Sequence, residues 1–287
     1  MDKNLPKCLI TGASGFLGQV LVKEALDKFK VYATSSKTKV NEKNVLYGRC
    51  DLSSFSDTQS MIDQVKPQVV FHLAALSQPN ECAENPDYSY KLNNEAAVNI
   101  AGLCADRGIK FIFTSTDLVF DGENAPYTEV DSVNPISHYA EHKILAEEGV
   151  LDKNDSSLIC RLPLLFGRTT IEEMLRKLDE EEKIRLFEDE FRTPISNVNA
   201  ARALLEMSQL SGLYHLGGSQ RLSRLDMGTR AALIFGRAQK NILACSQKDV
   251  QMAAARPKDV SLDSTKTKDA GIKLMGYDES LLKLFEK

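Results

Sequence analysis

Residues 7–18 read KCLITGASGFLG, a short apolar run that leads into three regularly spaced glycines, Gly12, Gly15 and Gly18. Glycines at this spacing permit a tight turn, a close approach of the backbone to a diphosphate, and close contact between a helix and a strand. The following residues, FLGQVLVKEALDKF, place apolar side chains at a helical period. The N-terminus of such a helix offers free N–H groups and a partial positive charge to phosphates. The stretch therefore predicts a first strand, a dinucleotide-binding loop and a first helix.

Downstream of this loop, strand-like and helix-like runs alternate as far as Gly167. The strand-like runs are VYATSS, VLYGRCDL, QVVFHLAA, KFIFTSTDLVF and SLICRLPLLFG. Such alternation predicts βαβ crossovers and a parallel sheet that is covered on both faces. We therefore expect an α/β fold, a doubly wound parallel sheet of the Rossmann type, with a smaller carboxyl-terminal substrate-binding lobe.

The expected domain division follows the point at which this alternation weakens. Residues 1–167 are assigned to the dinucleotide-binding domain, and segment 191–217 is expected to return to it. Segments 168–190 and 218–287 are assigned to the substrate-binding lobe. Within the first domain, SDTQSMIDQV is predicted to be a helix capped by Ser56 or Asp57, and NNEAAVNIAGLCADRG a helix that ends at Gly108.

The charge of the chain is unevenly distributed. The whole chain has a net charge of −4, which argues against general nucleic-acid binding. Residues 218–287 hold 13 Lys or Arg and 8 Asp or Glu, whereas the remainder holds 23 and 32. This basic carboxyl-terminal region either meets an anionic small molecule or is a set of solvated helix faces, and Arg256, in a non-helical loop before a proline, is the arginine most suited to substrate contact.

The cysteines and histidines indicate no metal site and no disulfide framework. The six cysteines lie far apart without a C-x-x-C pair, and the four histidines show no zinc-like cluster. Buried free thiols of this kind are typical of a reducing compartment. With no apolar stretch long enough for a signal peptide or a membrane span, we expect a cytoplasmic protein without membrane or nucleic-acid partners. The sequence leaves a homodimer open.

The residues after the second strand bear on the choice between NAD and NADP. An acidic residue there would bind the ribose 2′-OH of NAD. This chain instead reads Ala33-Thr34-Ser35-Ser36-Lys37, and small hydroxyls with a lysine suit a 2′-phosphate better. The sequence therefore favours NADP and leaves NAD possible. Asp51, after the third strand, either accepts a hydrogen bond from the adenine amino group or merely shapes a turn.

A tyrosine and a lysine stand four residues apart in SHYAEHKILAEE, residues 137–148. On a helix this spacing brings Tyr139 and Lys143 to one face. The spacing alone could be a surface pair, but it follows a strand that ends at Thr116, where ligands of open parallel sheets lie. Reduction of a ketone needs a proton donor, and a nearby ammonium lowers the pKa of a phenol toward neutrality. We therefore expect Lys143 to lower the pKa of Tyr139, with Thr116 holding the carbonyl.

Several motifs in order resemble one family of enzymes. TGASGFLG, HLAA (72–75), STDLVFDG (115–122), YAEHK (139–143) and RLPLLFG (161–167) resemble those of extended short-chain dehydrogenase/reductases. The further motifs FRTPISNV (191–198) and RPKDVSLDSTK (256–266) make the chain similar to the dTDP-4-dehydrorhamnose reductase family. Members of that family reduce a 4-keto nucleotide sugar with NAD(P)H, so the resemblance implies an NADPH-dependent oxidoreductase of a nucleotide-activated 4-keto-6-deoxysugar.

The resemblance also implies roles for individual residues. Thr116 corresponds to the catalytic hydroxyl, Tyr139 to the proton donor and Lys143 to its partner. Asp117 and Arg256 are assigned to the substrate. The residues assigned to the cofactor are Gly12, Ser14, Gly15, Phe16, Leu17 and Gly18 at the diphosphate, Ser35, Ser36 and Lys37 at the ribose, Asp51 and Leu52 at the adenine, Ala74 and Ala75 beside the cofactor, and Pro163 near the nicotinamide.

Two alternatives remain from the sequence. A non-catalytic NADP-binding subunit, similar to the regulatory subunit of methionine adenosyltransferase, has the same family pattern. A sugar-nucleotide epimerase or dehydratase uses the same scaffold, but Asp117-Leu118 lacks the Asp-Glu pair typical of dehydratases. Family members usually carry Tyr where this chain has Leu118, which leaves the sugar specificity open.

Overall fold

The computed structural model describes residues 5–36 and 38–286. In chain order, its strands are β1 (Lys7–Thr11), β2 (Lys30–Ser35), β3 (Leu46–Arg49), β4 (Val69–His72), β5 (Lys110–Thr116), β6 (Leu158–Leu162), β7 (Leu165–Phe166), β8 (Ile184–Phe187), β9 (Phe191–Arg192), β10 (Ile195–Ser196), β11 (Gly212–His215), β12 (Leu222–Ser223) and β13 (Ile242–Cys245).

The helices lie between these strands, so that crossovers connect neighbouring strands of the sheet. In chain order, they are α1 (Gly18–Ala25), α2 (Phe55–Val65), α3 (Pro79–Glu84), α4 (Pro86–Tyr90), α5 (Ala96–Ala105), α6 (His138–Lys153), α7 (Arg168–Asp179), α8 (Asn197–Glu206), α9 (Arg224–Ile234), α10 (Thr265–Asp269) and α11 (Tyr277–Phe285). A π-helical turn, Lys91–Glu95, joins α4 to α5.

Seven of these strands form one parallel sheet in the order β11-β6-β5-β4-β1-β2-β3. The order reverses between β1 and β4, where Thr11 lies beside Thr34 on one side and His72 on the other. Apolar clusters cover both faces, one against α1 and α8 and the other against α2, α5 and α6. The predicted doubly wound α/β fold is confirmed, and the reversal opens a crevice at the carboxyl ends of β1 and β4.

The carboxyl-terminal part of the chain builds a smaller lobe on short strand pairs. β8 pairs with β13 in parallel, and β9 pairs with β12 antiparallel. Phe166, Leu175, Met227 and Tyr277 belong to an apolar cluster formed by α7, α9 and α11. Within segment 191–217, β11 extends the main sheet beside β6, whereas β9 pairs with the lobe.

Local predictions succeeded in outline and failed at some boundaries. Helix α2 begins two or three residues earlier than expected, because its N-cap is Ser54, whose side chain accepts a hydrogen bond from the Asp57 N–H, and not Ser56 or Asp57. The helix predicted to end at Gly108 ends at Ala105, although Gly108 does take the positive φ of 62° that suits a glycine.

The six cysteines are buried free thiols. Within residues 5–36 and 38–286, no helix has the length and apolar character needed to span a membrane.

Candidate cofactor and substrate site

The crevice at the sheet reversal collects most of the residues assigned from the sequence. Three of them, Thr116, Tyr139 and Lys143, lie in the same crevice as the glycine loop. The other assigned residues in its lining are Gly12, Ser14, Gly15, Phe16, Leu17, Gly18, Ser35, Ser36, Asp51, Leu52, Ala74, Ala75 and Pro163. Asp117 and Arg256 lie outside this lining, and Lys37 lies outside the described residues.

The glycine loop is shaped by steric limits at two of its glycines. Gly12 has a φ of +65°, and a Cβ there would lie 2.7 Å from the backbone nitrogen of Ala74. A Cβ at Gly18 would lie 2.2 Å from the carbonyl oxygen of Gly12. Gly15 is exposed and lines the crevice, so a side chain there would occupy space next to the start of α1. The loop thus leaves a helix N-terminus, with no side-chain cap at Leu17, open to the crevice.

The end of the crevice near β2 and β3 carries hydroxyl groups and one carboxylate. The Ser35 hydroxyl donates to the carbonyl oxygen of Thr38 and lies 3.0 Å from the Tyr47 hydroxyl. Asp51 accepts hydrogen bonds from the backbone N–H and the hydroxyl of Ser53, at 3.0 and 2.7 Å, and these hold its pKa below the usual range. Asp51 therefore does shape a turn, while it also lines the crevice.

The Tyr139–Lys143 pair is buried on α6, whose N-cap is the Ser137 side chain. Lys143 Nζ donates a 2.7 Å hydrogen bond to the carbonyl oxygen of Thr114 and lies 3.8 Å from the ring centroid of Phe113. Burial lowers the pKa of Lys143 to about 7. Burial also raises the pKa of Tyr139, and the charge of Asp117 adds to that increase. The expected lowering of the Tyr139 pKa by Lys143 was wrong for this structure, since desolvation of the phenolate has the largest effect, and the Thr116 hydroxyl, not the Lys143 ammonium, opposes it.

Thr116 lies where β5 ends and the chain turns into the lobe. Its hydroxyl accepts a 3.2 Å hydrogen bond from the Leu118 N–H and donates to Oδ1 of Asp117 at 3.3 Å. These contacts fix the Thr116 side chain, and its hydroxyl lies close enough to Tyr139 to favour the phenolate slightly. Thr116 and Tyr139 therefore present two hydroxyl groups to the same part of the crevice.

Beyond Thr116, five charged side chains lead from the crevice into the lobe. The Arg192 guanidinium lies 3.4 Å from Oδ2 of Asp117 and 3.4 Å from Oε1 of Glu190, and all three residues are buried. Arg224 approaches the same Glu190 oxygen at 3.6 Å. Nε of Arg256 is buried, and it has no hydrogen-bond partner among the described residues. Arg192 and Arg224 thus pair with two carboxylates, and Arg256 adds a third guanidinium near Arg224, an excess of positive charge that suits an anionic group.

Among these five charged side chains, burial raises the pKa of Asp117. The pKa of Asp117 is raised to about 6, because desolvation of the carboxylate outweighs its attraction to Arg192. Oδ2 of Asp117 has no hydrogen-bond partner among the described residues, although Arg192 lies near it. Asp117 therefore has one oxygen that could bond to an incoming polar group.

Several residues that position the site were not identified from the sequence. His72 Nδ1 and the Thr11 hydroxyl are hydrogen-bonded at 2.8 Å, and the same hydroxyl accepts from the Ala74 N–H at 3.3 Å. Asn197 donates to the carbonyl oxygen of Phe16 at 3.3 Å and so braces the glycine loop. His72 and Asn197 both lie in motifs quoted above. Their hydrogen-bond partners, Thr11 and Phe16, are far from them in sequence, so no sequence pattern indicated these contacts.

Asn93, in the π-helical turn, joins the loop after β4 to the helices that surround the tyrosine. Its side chain accepts from the Leu76 N–H at 2.8 Å and donates to the Leu76 carbonyl oxygen at 3.0 Å. It also donates to the Ser89 hydroxyl at 3.1 Å, which is hydrogen-bonded to His142 at 2.9 Å. The loop that carries Ala74 and Ala75 is thereby tied to α6.

One known protein family matches almost the whole chain. The model of the RmlD substrate binding domain family matches residues 6–287. The chain belongs to this family, a branch of the extended short-chain dehydrogenase/reductases. A dTDP-4-dehydrorhamnose reductase of Clostridium acetobutylicum is 27% identical, covers 97% of this chain and 98% of its own, and superposes with a TM-score of 0.83.

Other RmlD-like proteins are similar to the chain over most of its length. The dTDP-4-dehydrorhamnose reductase of Bacillus anthracis, solved in complex with NADP, has a TM-score of 0.88 at 24% identity and 98% and 99% coverage, so it shows the shared fold. The probable low-salt glycan biosynthesis reductase Agl14 of Haloferax volcanii is 28% identical, with 88% of each chain covered. The methionine adenosyltransferase 2 subunit beta of Rattus norvegicus is also 28% identical, over 94% of this chain and 85% of its own.

Proposed function

We propose that this RmlD-family protein is an NADPH-dependent reductase of a nucleotide-activated 4-keto-6-deoxysugar, with NADH as the weaker alternative. The observation that carries the proposal is that Thr116, Tyr139 and Lys143 line one crevice with the glycine loop. A phosphate-binding loop and a proton donor at one sheet reversal are what hydride transfer to a carbonyl requires. Similarity to dTDP-4-dehydrorhamnose reductases supports the substrate class.

The cofactor side of the proposal rests on the loop and on the ribose end of the crevice. The open N-terminus of α1 and the exposed Gly15 suit a diphosphate. Ser35 and Ser36 line the crevice where an NAD-specific site would carry an acidic residue, which favours a 2′-phosphate. A bound reduced nicotinamide would supply the hydride. The complex of the Bacillus anthracis enzyme with NADP supports the same choice.

The proton side follows from the hydroxyl groups around β5. The raised pKa of Tyr139 keeps the phenol protonated near neutral pH, which is the form that donates a proton to an alkoxide. The Thr116 hydroxyl, held by Leu118 and Asp117, would orient the carbonyl oxygen. Lys143, anchored on Thr114, would bind ribose hydroxyls and stabilise the phenolate left after proton transfer.

The substrate side follows from the arginines of the lobe. Arg224 and Arg256 carry positive charge that Glu190 does not fully balance, and guanidinium groups bind diphosphates in bidentate fashion. Asp117, whose Oδ2 has no hydrogen-bond partner within residues 5–36 and 38–286, would contact a sugar hydroxyl. We therefore assign the nucleotide diphosphate to the lobe and the sugar to the space near Thr116.

The proposal is tested by mixing the protein with NADPH and each of several 4-keto-6-deoxysugar nucleotides, and following the absorbance of the reduced nicotinamide. We expect NADPH to be consumed in proportion to the sugar nucleotide, and more slowly when NADH replaces it. An Arg256→Met variant should raise the KM for the sugar nucleotide with little change in NADPH affinity. No oxidation with any of the sugar nucleotides would contradict the proposal.

A second candidate function is supported by the similarity to methionine adenosyltransferase 2 subunit beta. In that case the crevice would bind NADP without turnover, and the protein would act through a partner. Stoichiometric oxidation of NADPH separates the two functions, because a binding subunit leaves the nicotinamide reduced. An epimerase would also leave no net oxidation, but it would change the sugar nucleotide itself.

A further inference from the structure

Three possible metal ligands lie together at the start of α6. His138, Glu141 and His142 each offer one ligand atom, and these atoms lie within 4.8 Å of one another. His138 Nδ1 is 3.4 Å from Oε2 of Glu141, and the two imidazole rings stack with centroids 6.0 Å apart. The spacing i, i+3, i+4 explains the grouping, since such residues share one face of a helix.

We propose that His138, Glu141 and His142 bind a divalent transition-metal ion of the zinc type. Two imidazoles and one carboxylate form a donor set that Zn²⁺ accepts, with water in a further position. This departs from the expectation of no metal that was drawn from the sequence. The inference goes beyond the proposed function and does not depend on it.

His138 and Glu141 are exposed and can rotate, whereas His142 is buried and fixed, and this combination suits a metal site. Ligand atoms of a tetrahedral zinc site lie roughly 3.4 Å apart, given Zn–N distances of about 2.0–2.1 Å. The side chains of His138 and Glu141 are 53% and 55% exposed, so they can rotate to close the present separation. His142 is buried and offers a fixed point around which they can gather.

The surroundings of His142 are the independent observation in favour of a metal. The Ser89 hydroxyl is 2.9 Å from Nδ1 of His142 and takes a hydrogen bond from Asn93 at 3.1 Å. Tyr90 packs its ring edge-on against the imidazole. An imidazole held through one nitrogen leaves its other nitrogen as the ligand, which is how metal-binding histidines are usually oriented. A surface ion pair between His138 and Glu141 would not explain why Ser89 orients the His142 imidazole beside them.

Space for further ligands exists beside the group. A surface cavity of 580 Å³ is lined by His138 and Glu141, by Pro135 before α6, and by Ala254 in the lobe. Tyr139 and Lys143 instead line the cofactor crevice, on the adjacent side of the helix. A bound ion would tie the first two turns of α6 together without entering that crevice, and so would stabilise the helix that carries the tyrosine.

The test uses the full chain, free of any affinity tag and treated with a chelator. Zn²⁺ is titrated by calorimetry, and Co²⁺ is added separately to record visible absorption bands. We expect one ion per chain, a higher melting temperature with Zn²⁺, and Co²⁺ bands that disappear on addition of Zn²⁺. His138→Ala and Glu141→Gln change exposed side chains, so they keep the fold while weakening the affinity at least tenfold.

Further variants separate a built site from adventitious binding. Ser89→Ala should weaken Zn²⁺ binding by roughly 10- to 100-fold, the usual cost of losing a group that orients a ligand. Glu148→Gln, an exposed carboxylate on the same helix, should leave the affinity unchanged. Absence of one-to-one binding in the unmodified chain, or equal affinity in the His138→Ala and Glu141→Gln variants, would overturn the proposal.

Discussion

The ammonium group of Lys143 donates a hydrogen bond of 2.7 Å to the backbone carbonyl oxygen of Thr114. It also lies 3.8 Å from the centroid of the Phe113 ring, so both contacts come from β5. The strand, more than the phenol of Tyr139, therefore fixes the position of the lysine. Both residues lie on α6, but the contacts of Lys143 with β5 hold its ammonium group in the crevice independently of the phenol.

Replacing Lys143 by Met should lower the rate of NADPH oxidation by at least about a hundredfold, the lower end of what acid–base groups contribute. The substitution removes the buried cation but keeps most of the side-chain volume, so the fold should persist. Lys153→Met changes an exposed lysine at the end of the same helix and should leave the rate unchanged. Steady-state rates and circular dichroism of both variants provide the check, and equal rates for the two would speak against a role for Lys143.

Gly12→Ala should abolish measurable NADPH binding, because the added Cβ would meet the backbone of Leu73 and Ala74 at 2.8 and 2.7 Å. The φ of +65° adds strain for any residue other than glycine. The control is Gly102→Ala in α5, where an added Cβ would meet, among the described residues, no atom within 4 Å beyond its immediate helical neighbours; this alanine should stabilise the helix by up to about 1 kcal/mol. Titration of NADPH fluorescence measures both, and normal affinity in Gly12→Ala would refute the assignment of the loop.

Arg161→Met should cost about 3–5 kcal/mol of the free energy of unfolding, since it leaves the Glu147 carboxylate buried and unpaired. The two side chains are 5% and 7% exposed, and the Arg161 guanidinium donates to both carboxylate oxygens at 2.7–3.2 Å. Arg202→Met, which breaks the exposed pair with Glu24, should cost no more than about 1 kcal/mol. Urea unfolding of both variants measures these losses. Similar losses of the free energy of unfolding would show that burial of the Arg161–Glu147 pair is unimportant.

Acid should destabilise the protein through two buried histidines. Burial lowers the pKa of His72 to about 3 and that of His215 to about 4. Each depressed pKa gives stability that is fully present above about pH 6.5 and is lost as the pH falls toward the folded-state value, because the unfolded chain takes up the proton first.

The expected slope is about 1.4 kcal/mol per pH unit for each histidine within that window. Urea unfolding of the unmodified chain and of His72→Asn between pH 6 and pH 4.5 tests this. Because the substitution itself changes the stability of the fold, the slopes are compared and the absolute values are not. A slope that is unchanged in His72→Asn would exclude His72 as a source of the acid sensitivity.

The sheet and most of the crevice could be predicted because their signals are local. The glycine loop, the strand ends at Thr116 and the Tyr139–Lys143 spacing each lie within a few consecutive residues, and parallel strands bring their carboxyl ends to one edge. The contact of Arg192 with Asp117 and that of Ser89 with His142 join segments 75 and 53 residues apart. The periodicity of apolar residues does not predict contacts between side chains so far apart in sequence.

The direction in which the pKa of Tyr139 is shifted could not be predicted from the sequence, for a related reason. Spacing on a helix indicates that a lysine is near, but it gives neither the burial of the phenol nor the hydrogen bond that holds Lys143 on Thr114. Both depend on how α6 packs against β5. The N-cap of α2 was predicted two or three residues too late, because three polar residues close in sequence, Ser54, Ser56 and Asp57, can each begin a helix.

We propose that the phenol of Tyr139 delivers a proton while hydride is transferred in the crevice. The most direct test is NADPH oxidation in a single turnover by the unmodified chain and by Tyr139→Phe, each saturated with a 4-keto-6-deoxysugar nucleotide, with NADPH affinity measured on the same samples. We expect a rate loss of about 10²- to 10⁴-fold with unchanged NADPH affinity. Equal rates for the two proteins would contradict it.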